Sequence, residues 1–333
     1  MMAGSFHAAF PMGDPSRVGE ARRHAALLAA ECAFDDVAAG RLALVVTELA
    51  TNLVRHAQAG RMWLSMRRER REVEVLAVDA GPGMHDVERS LGDGFSTAGT
   101  PGTGLGAVRR LADSFDVHSA RSQGTLVLAR VRAAGDAPAG AACVGAVSLA
   151  APGELVCGDG WGFALDGPRA AVLVVDGLGH GPDAAEAAAV ALESFSEDPF
   201  TAPRDLLERL HQSLRRTRGA AVMVLHCDAD AGTVRSAGAG NVVARLVSGI
   251  SDRSILCQHG TAGLKIRSPD ETVTPWPDHA LLVVCTDGIE TRWKAEVLVP
   301  VLGHDPAIAA GLLARDHCRG RDDATVAVLR RKD

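Results

Sequence analysis

The sequence predicts an α+β protein of two domains, an N-terminal α/β sandwich and a C-terminal β-sandwich flanked by helices. Three observations carry this. The chain has 333 residues, against roughly 150 for an ordinary domain. A run of small residues, AAGDAPAGAA, interrupts the pattern near the middle and reads as a linker. The two sides differ in texture, helix-rich before and strand-rich after, with no internal repeat bridging them. The expected division is residues 1–133, a linker at 134–142, and residues 143–333.

Helical periods are expected at 16–32 and 37–58. In the second, Leu42, Val45, Val46, Leu49 and Leu53 recur on one side. Strand-like runs follow at 61–66 and 72–78, then a glycine-rich stretch to residue 106. A short helix at 107–115 and strands at 116–120 and 125–132 complete a mixed sheet with helices on one side. The second half predicts strands at 145–150, 160–165, 170–175, 221–227, 234–237, 242–246, 281–285 and 324–329. Helices are expected at 183–195, 203–217, 295–302 and 306–318.

Composition excludes several classes. The net charge is −6 and the pI about 6.1, so electrostatics favour neither nucleic acid nor an anionic membrane. The seven cysteines form no CxxC pair and are odd in number, which argues against a disulfide framework or a zinc ribbon and fits a reducing cytoplasm. Residues 1–17 lack a charged segment followed by an apolar run, so no signal peptide is expected. Apolar stretches such as 280–285 are too short to span a bilayer.

In the first half, Glu48 and Asn52 lie four residues apart and share a helix face that is not the apolar one. A carboxylate and an amide so placed can hold water or a metal ion beside a phosphate. The strand 72–78 runs into Asp79-Ala-Gly81-Pro-Gly83. A carboxylate there, before glycines that bend the backbone, can accept a hydrogen bond from a base's amino group. Then comes Gly102-Thr103-Gly104-Leu105-Gly106 before a helix, where exposed N–H groups and the helix dipole favour phosphate. The spacing is neither a Rossmann turn nor a Walker loop.

With the closing Gln123-Gly124-Thr125, these four pieces in order resemble the GHKL (Bergerat-type) ATPase family over residues 16–132, most closely its RsbT-like serine/threonine kinase branch. The resemblance implies an ATP–Mg²⁺ site. Glu48 would be general base, Asn52 the Mg²⁺ ligand and Asp79 the adenine reader. Gly81 and Gly83 would form its turn, Gly102 to Gly106 the phosphate loop, and Thr125 a second adenine contact.

In the second half, acidic residues stand at strand ends in four places: Asp159, Asp176, Asp287, and the pair Asp322 and Asp323. Carboxylates gathered at the rim of an apolar core repel one another unless a cation lies among them. Oxygen ligands without His or Cys suit Mg²⁺ or Mn²⁺. A pair of such ions could share a hydroxide for in-line attack on phosphorus. His180 could act in catalysis, cap a helix or pack. The series GD, DGLGHG, TDG and RDDATV over residues 143–331 resembles the PPM family of metal-dependent serine/threonine phosphatases, in its SpoIIE/RsbX branch. It implies a metal site of Asp159, Asp176, the Gly177 carbonyl, Asp287 and Asp322, with Asp323 as the alternative for the last position, and catalytic roles for Asp176 and Asp287.

The two resemblances together imply a bifunctional partner-switching regulator, a kinase and a phosphatase acting on a STAS-domain protein phosphorylated on Ser or Thr. A second expectation is a first half that clamps a sigma factor or other partner in an ATP-dependent way without turnover, a sigma-factor regulator being one such partner. A third is that ATP binding only gates the phosphatase.

Overall fold

The computed structural model describes residues 2–91, 104–133 and 142–331. It divides into two compact bodies: His7–Ala137, and Met1–Phe6 with Pro138–Asp333. Most of the expected linker, 134–141, lies outside the described residues. Residues 1–6, counted with the first half from sequence, cluster with the second body. There β1 (Met2–Ala3) pairs with Phe163 and Gly162, and the Gly4 amide donates to the Trp161 carbonyl at 3.2 Å. A Cβ on Gly4 would fall 1.9 Å from the Trp161 ring, so only glycine fits this close approach.

The first body runs β2 (Ala8–Pro11), α1 (Ser16–Glu31), α2 (Asp36–His56), β3 (Arg61–Arg67), β4 (Glu72–Asp79), α3 (Val87–Leu91), α4 (Gly104–Leu111), β5 (Ser114–Ser119) and β6 (Thr125–Arg132). Its sheet has the order β2-β3-β4-β6-β5. Every pairing is antiparallel, which corrects the mixed sheet expected from sequence. Hairpin-length connections from β3 to β4 and from β5 to β6 allow antiparallel pairing without crossovers. The expected helix at 107–115 starts three residues earlier and stops at Leu111, because the amide of Asp113 is already bonded to Arg130 O and commits the chain to β5. Helix α2 starts at Asp35, whose carboxylate accepts from Ala38 N at 2.7 Å, an N-cap worth about 1 kcal/mol. Its apolar stripe (Leu42, Val45, Val46, Leu49, Leu53) is buried with Met62, Leu64, Val73, Val75 and Val127 of the sheet. Although α2 is long and apolar enough to cross a membrane, this stripe is core. The same amphipathic geometry leaves Glu48 and Asn52 on the other side.

The second body continues with β7 (Ala142–Leu149), β8 (Asp159–Asp166), β9 (Arg169–Gly177), α5 (Pro182–Glu197), α6 (Pro203–Ser213), β10 (Ala220–Asp228), β11 (Thr233–Ala239), β12 (Val243–Val247), β13 (Asp252–Leu256), β14 (Gly260–Thr261), β15 (Lys265–Ile266), β16 (Thr272–Pro275), β17 (Leu281–Cys285), α7 (Pro306–His317) and β18 (Ala324–Arg331). Two antiparallel sheets form the sandwich, ordered β1-β8-β9-β10-β11-β16 and β13-β12-β17-β18-β7. Alternation sorts the side chains. Trp161, Phe163, Val172, Val174, Met223 and Leu225 meet Val144, Leu282, Val284, Ala327 and Leu329 between the sheets, while Ala171, Leu173, Val175, Val222 and Val224 face Ala187, Ala191, Phe195, Leu206 and Leu210 of α5 and α6. Each fully buried Leu, Val or Phe contributes about 1.5–3 kcal/mol. Helix α7 approaches the other sheet so closely that a Cβ on Gly145 would meet Ala307 N at 2.0 Å. The helix expected at 295–302 is a 3₁₀ segment, Ala295–Val301, because Pro300 cannot continue an α-helical ladder.

Candidate functional sites

In the first body, the amphipathic placement of α2 brings Glu48 and Asn52, both half-buried, to the N-terminus of α4. A Cβ on Gly104 would stand 3.4 Å from Asn52 Nδ2 and 3.8 Å from Glu48 Oε2. The first residue of α4 therefore lies against both groups, and its amide end faces them with a partial positive charge. Leu105 packs onto the core; Gly106 is buried. Gly102 and Thr103 lie outside the described residues.

The antiparallel register sets Asp79 at the end of β4 opposite Thr125 at the start of β6. Asp79 Oδ1 accepts from Gly81 N at 2.7 Å. A Cβ on Gly83 would fall 2.1 Å from Ala120 O, and one on Gly124 1.9 Å from Asp79 O; both residues hold positive φ, so the two turns close only on glycine. Sequence reasoning missed Ser119. Its Oγ joins the Thr125 hydroxyl at 2.9 Å, accepts from Met84 N at 2.8 Å and donates to Gly124 O at 3.2 Å, locking the two turns together. A half-buried serine at a strand end gave no sequence signal. Gln58 O accepts from Ala80 N at 3.0 Å, tying the C-terminal end of α2 to the Asp79 turn. Asp79, Gly81, Gly83 and Thr125 thus meet at one edge. Asp79→Asn is expected to weaken ATP binding by about 1.5–3 kcal/mol, the scale of a charge-assisted hydrogen bond; titration calorimetry with ATP and Mg²⁺ on the full chain measures it.

In the second body, the β8–β9 pairing sets Asp159 directly across from Asp176. Gly177 N donates to Gly158 O at 3.0 Å. A Cβ on Gly177 would meet Ala184 O at 2.3 Å, so the turn after Asp176 packs tightly under α5. A Cβ on Gly288, next to Asp287, would meet Asp323 O at 2.0 Å, and one on Gly158 would come 2.7 Å from Asp323 Oδ2. Four separate strand ends converge here.

Protein groups hold the carboxylates in place. Thr286 Oγ1 donates to Asp159 Oδ2 at 2.7 Å and accepts from Thr325 N at 2.8 Å. Ala151 N donates to Asp323 Oδ1 at 2.8 Å. Asn241 Nδ2 donates to Asp287 Oδ2 at 2.6 Å, and Asp323 N to Asp322 Oδ1 at 2.9 Å. Thr286, Thr325, Asn241 and the Ala151 amide were not picked out from sequence. Thr286 and Thr325 flank the aspartates of TDG and RDDATV and could have been suspected; Asn241 and Ala151 are distant in the chain.

Asp159 Oδ1 and Asp323 Oδ2 are buried with no hydrogen-bond partner, an arrangement that costs about 1–3 kcal/mol or more per group unless something else satisfies it. Burial, and then the neighbouring Asp287, Asp322 and Asp323, push the Asp176 carboxyl up to about 7. Burial and Asp176 raise Asp159 well above its ordinary value, burial and Asp322 raise Asp287, and burial raises Asp323. Orphaned buried oxygens in an all-oxygen, mutually repelling set fit a hard divalent cation. Among the described residues, no three or more acidic, His or Cys side chains are gathered closely enough to hold a metal ion by themselves, so carbonyls and water would have to share in the shell with the orphaned carboxylate oxygens. His180 is mostly exposed and its Nδ1 meets Glu154 Oε1 at 2.7 Å; it neither packs in the core nor caps α5, whose N-cap is Gly181 without a side-chain bond.

Comparison with known proteins follows the same division. Residues 12–131 match the family model described as histidine kinase-like ATPase domain. Residues 166–332 match the model of Stage II sporulation protein E (SpoIIE). Over 104 residues, 31% of this chain and 78% of the relative, the sequence is 35% identical to serine/threonine-protein kinase RsbT of Bacillus subtilis (strain 168). A solved structure from work on the bacterial stressosome as a modular system adapted to control secondary messenger signaling is 27% identical, with a TM-score of 0.54 over 57% of this chain and 99% of its own. RsbX in complex with magnesium is 20% identical, with a TM-score of 0.51 over 57% and 96%; at that identity the likeness concerns the fold alone.

Proposed function

This chain belongs to the SpoIIE family through its second body and carries an RsbT-related histidine kinase-like ATPase domain in its first, and from that premise we propose a bifunctional partner-switching regulator. Its second body would be a Mg²⁺- or Mn²⁺-dependent phosphatase for phosphoserine and phosphothreonine. Its first would be a serine/threonine kinase. Both would act on a STAS-domain protein, with a sigma-factor regulator as a further partner. Support for the pathway comes from the RsbT relative and the stressosome structure.

The observation that carries the phosphatase reading is the pair of orphaned buried oxygens on Asp159 and Asp323 within a set of raised carboxyls. Asp159, Asp176, the Gly177 carbonyl, Asp287 and Asp322 would hold the cations, with Asp323 the alternative to Asp322. When bound, the metal supplies an ionised water and a clamp for phosphoryl oxygens. The chain's own contribution is positional. Thr286 turns Asp159, Asn241 turns Asp287, and the Ala151 amide fixes Asp323, so that the carboxylates are held before the substrate arrives. In the first body Glu48 would take the proton of the acceptor hydroxyl. Asn52 would hold Mg²⁺, and the start of α4 would receive the phosphates.

A phosphorylated STAS-domain protein incubated with the full chain and Mn²⁺ should release phosphate, and excess chelator should stop it. Full activity in chelator overturns the metal-dependent reading. Inertness toward both phosphorylated STAS-domain proteins and p-nitrophenyl phosphate overturns the phosphatase.

A further inference from the structure

The rim of the carboxylate cluster carries groups that neither the proposed metal site nor its supports use. Leu178 stands two residues after Asp176 and is 50% exposed; Leu155, on the loop before Asp159, is 90% exposed. Their two loops are fastened to each other. His180 Nδ1 meets Glu154 Oε1 at 2.7 Å, and a Cβ on Gly181 would come within 3.0 Å of Glu154 Oε2. Leu178 N donates to Gly219 O at 3.0 Å, which brings Arg218 to the same turn. Arg218 Nη1 lies 3.4 Å from where a Cβ on Gly179 would be, and its Nη2 is held 2.6 Å from Asp183 Oδ2.

A single exposed leucine needs no explanation. These two differ in position, since both ride on the loops that carry the carboxylates. With a guanidinium and two exposed leucines, the rim complements a phosphorylated segment that carries apolar residues. The carboxylates alone repel a phosphate dianion, and a fixed guanidinium at the edge offsets that repulsion and can meet the phosphoryl oxygens in a planar, two-point fashion. The two exposed leucines offer apolar area that a partner's apolar side chains can remove from water.

We propose that Leu155, Leu178 and Arg218 form the substrate-docking rim of the phosphatase, taking an extended segment in which apolar residues flank the phosphorylated serine or threonine. The assignment rests on the phosphatase reading of this body. Arg218 is a specificity residue here, acting on the incoming ester; the Glu154–His180 tie positions the two leucines.

The test uses the full chain with Mn²⁺ and two phosphoserine peptides identical except for leucine or glycine on both sides of the phosphoserine. Wild type should favour the leucine peptide in kcat/KM by about tenfold or more, the scale of apolar pocket discrimination. Leu155→Ser combined with Leu178→Ser should bring that ratio to about one, whereas Leu178→Met should keep it. Arg218→Ala should raise KM for both peptides alike, and Arg218→Lys should restore part of the loss. Because the ratio compares two substrates on one enzyme, misfolding cannot mimic its collapse. A wild-type ratio near one, or a ratio that survives the double substitution, overturns the leucine assignment. Unchanged KM in Arg218→Ala overturns the arginine's role. Hydrolysis of p-nitrophenyl phosphate by wild type is scored separately: its absence, together with inertness toward both peptides, brings down the phosphatase reading itself.

Discussion

Asp176→Asn should reduce phosphoserine turnover by about 10³-fold or more, since metal-ion charge stabilisation supplies several kcal/mol and each 1.36 kcal/mol is tenfold in rate. The same substitution should make the metal-free protein more heat-stable. Asp176 is crowded by Asp287, Asp322 and Asp323, and its carboxyl is pushed up to about 7 from an ordinary 3.8. The sign follows from linkage. The fold binds a proton at Asp176 more tightly than the unfolded chain does. In the metal-free protein the destabilisation is therefore absent below about pH 4, grows as pH rises, and is complete above about 7. Asparagine cannot ionise, so the variant's melting temperature should show a weaker fall across that window. Melting curves in chelator between pH 4 and 8 measure it. A wild-type melting temperature that falls no more steeply than the variant's would contradict the crowding of carboxylates described above. Loss of turnover combined with a gain in apo stability distinguishes a residue kept for chemistry from one kept for folding.

Glu48→Ala should lower phosphotransfer to a STAS-domain acceptor by about 10²–10⁴-fold, the usual contribution of a positioned general base, and leave phosphatase turnover intact. The comparison is cleanest on an Asp287→Asn background, where transferred phosphate is not removed. That protein, given ATP, Mg²⁺ and the acceptor, should accumulate phosphoserine or phosphothreonine detectable by mass spectrometry. Adding Glu48→Ala should abolish the accumulation while ATP affinity changes little, because the role proposed for Glu48 is on the acceptor rather than the nucleotide. If no acceptor gains phosphate while calorimetry shows ATP bound, the first body is a nucleotide-gated binding module.

Much of this architecture was legible from local pattern because local pattern governs it. The stripe of Leu42, Val45, Val46, Leu49 and Leu53 defines α2 whatever lies around it, and the same register delivers Glu48 and Asn52. The Asp176-Gly177 and Asp287-Gly288 turns announce themselves by the apolar strands before them. What escaped was set by partners distant in sequence. Strand β2, only four residues, exists because Met62 and Leu64 pair with it. Strands β13 to β16 carry exposed, polar residues without a clean alternation. The antiparallel character of the first sheet depends on which strands meet, which no single segment encodes. Thr286, Asn241 and Ser119 belong to the sites through hydrogen bonds spanning from a few to more than a hundred positions in the chain; Thr286 at least stands beside Asp287, whereas nothing in the immediate neighbours of Asn241 or Ser119 marks them.

The pairing of residues 2 and 3 with residues 163 and 162 has a consequence on the ribosome. At about 5–20 residues per second, β1 leaves the exit tunnel roughly 8–30 seconds before its partner is made. The whole first body can form in that interval, while the short strand waits without a sheet. Once β8 emerges, its outer edge shows bare N–H and C=O groups, a template for any extended chain nearby. On a polysome the adjacent nascent chain offers an identical segment at high local concentration, so exchange between neighbours competes with closure in the same molecule. A C-terminal piece begun after residue 141 lacks this strand altogether and emerges with that edge permanently open.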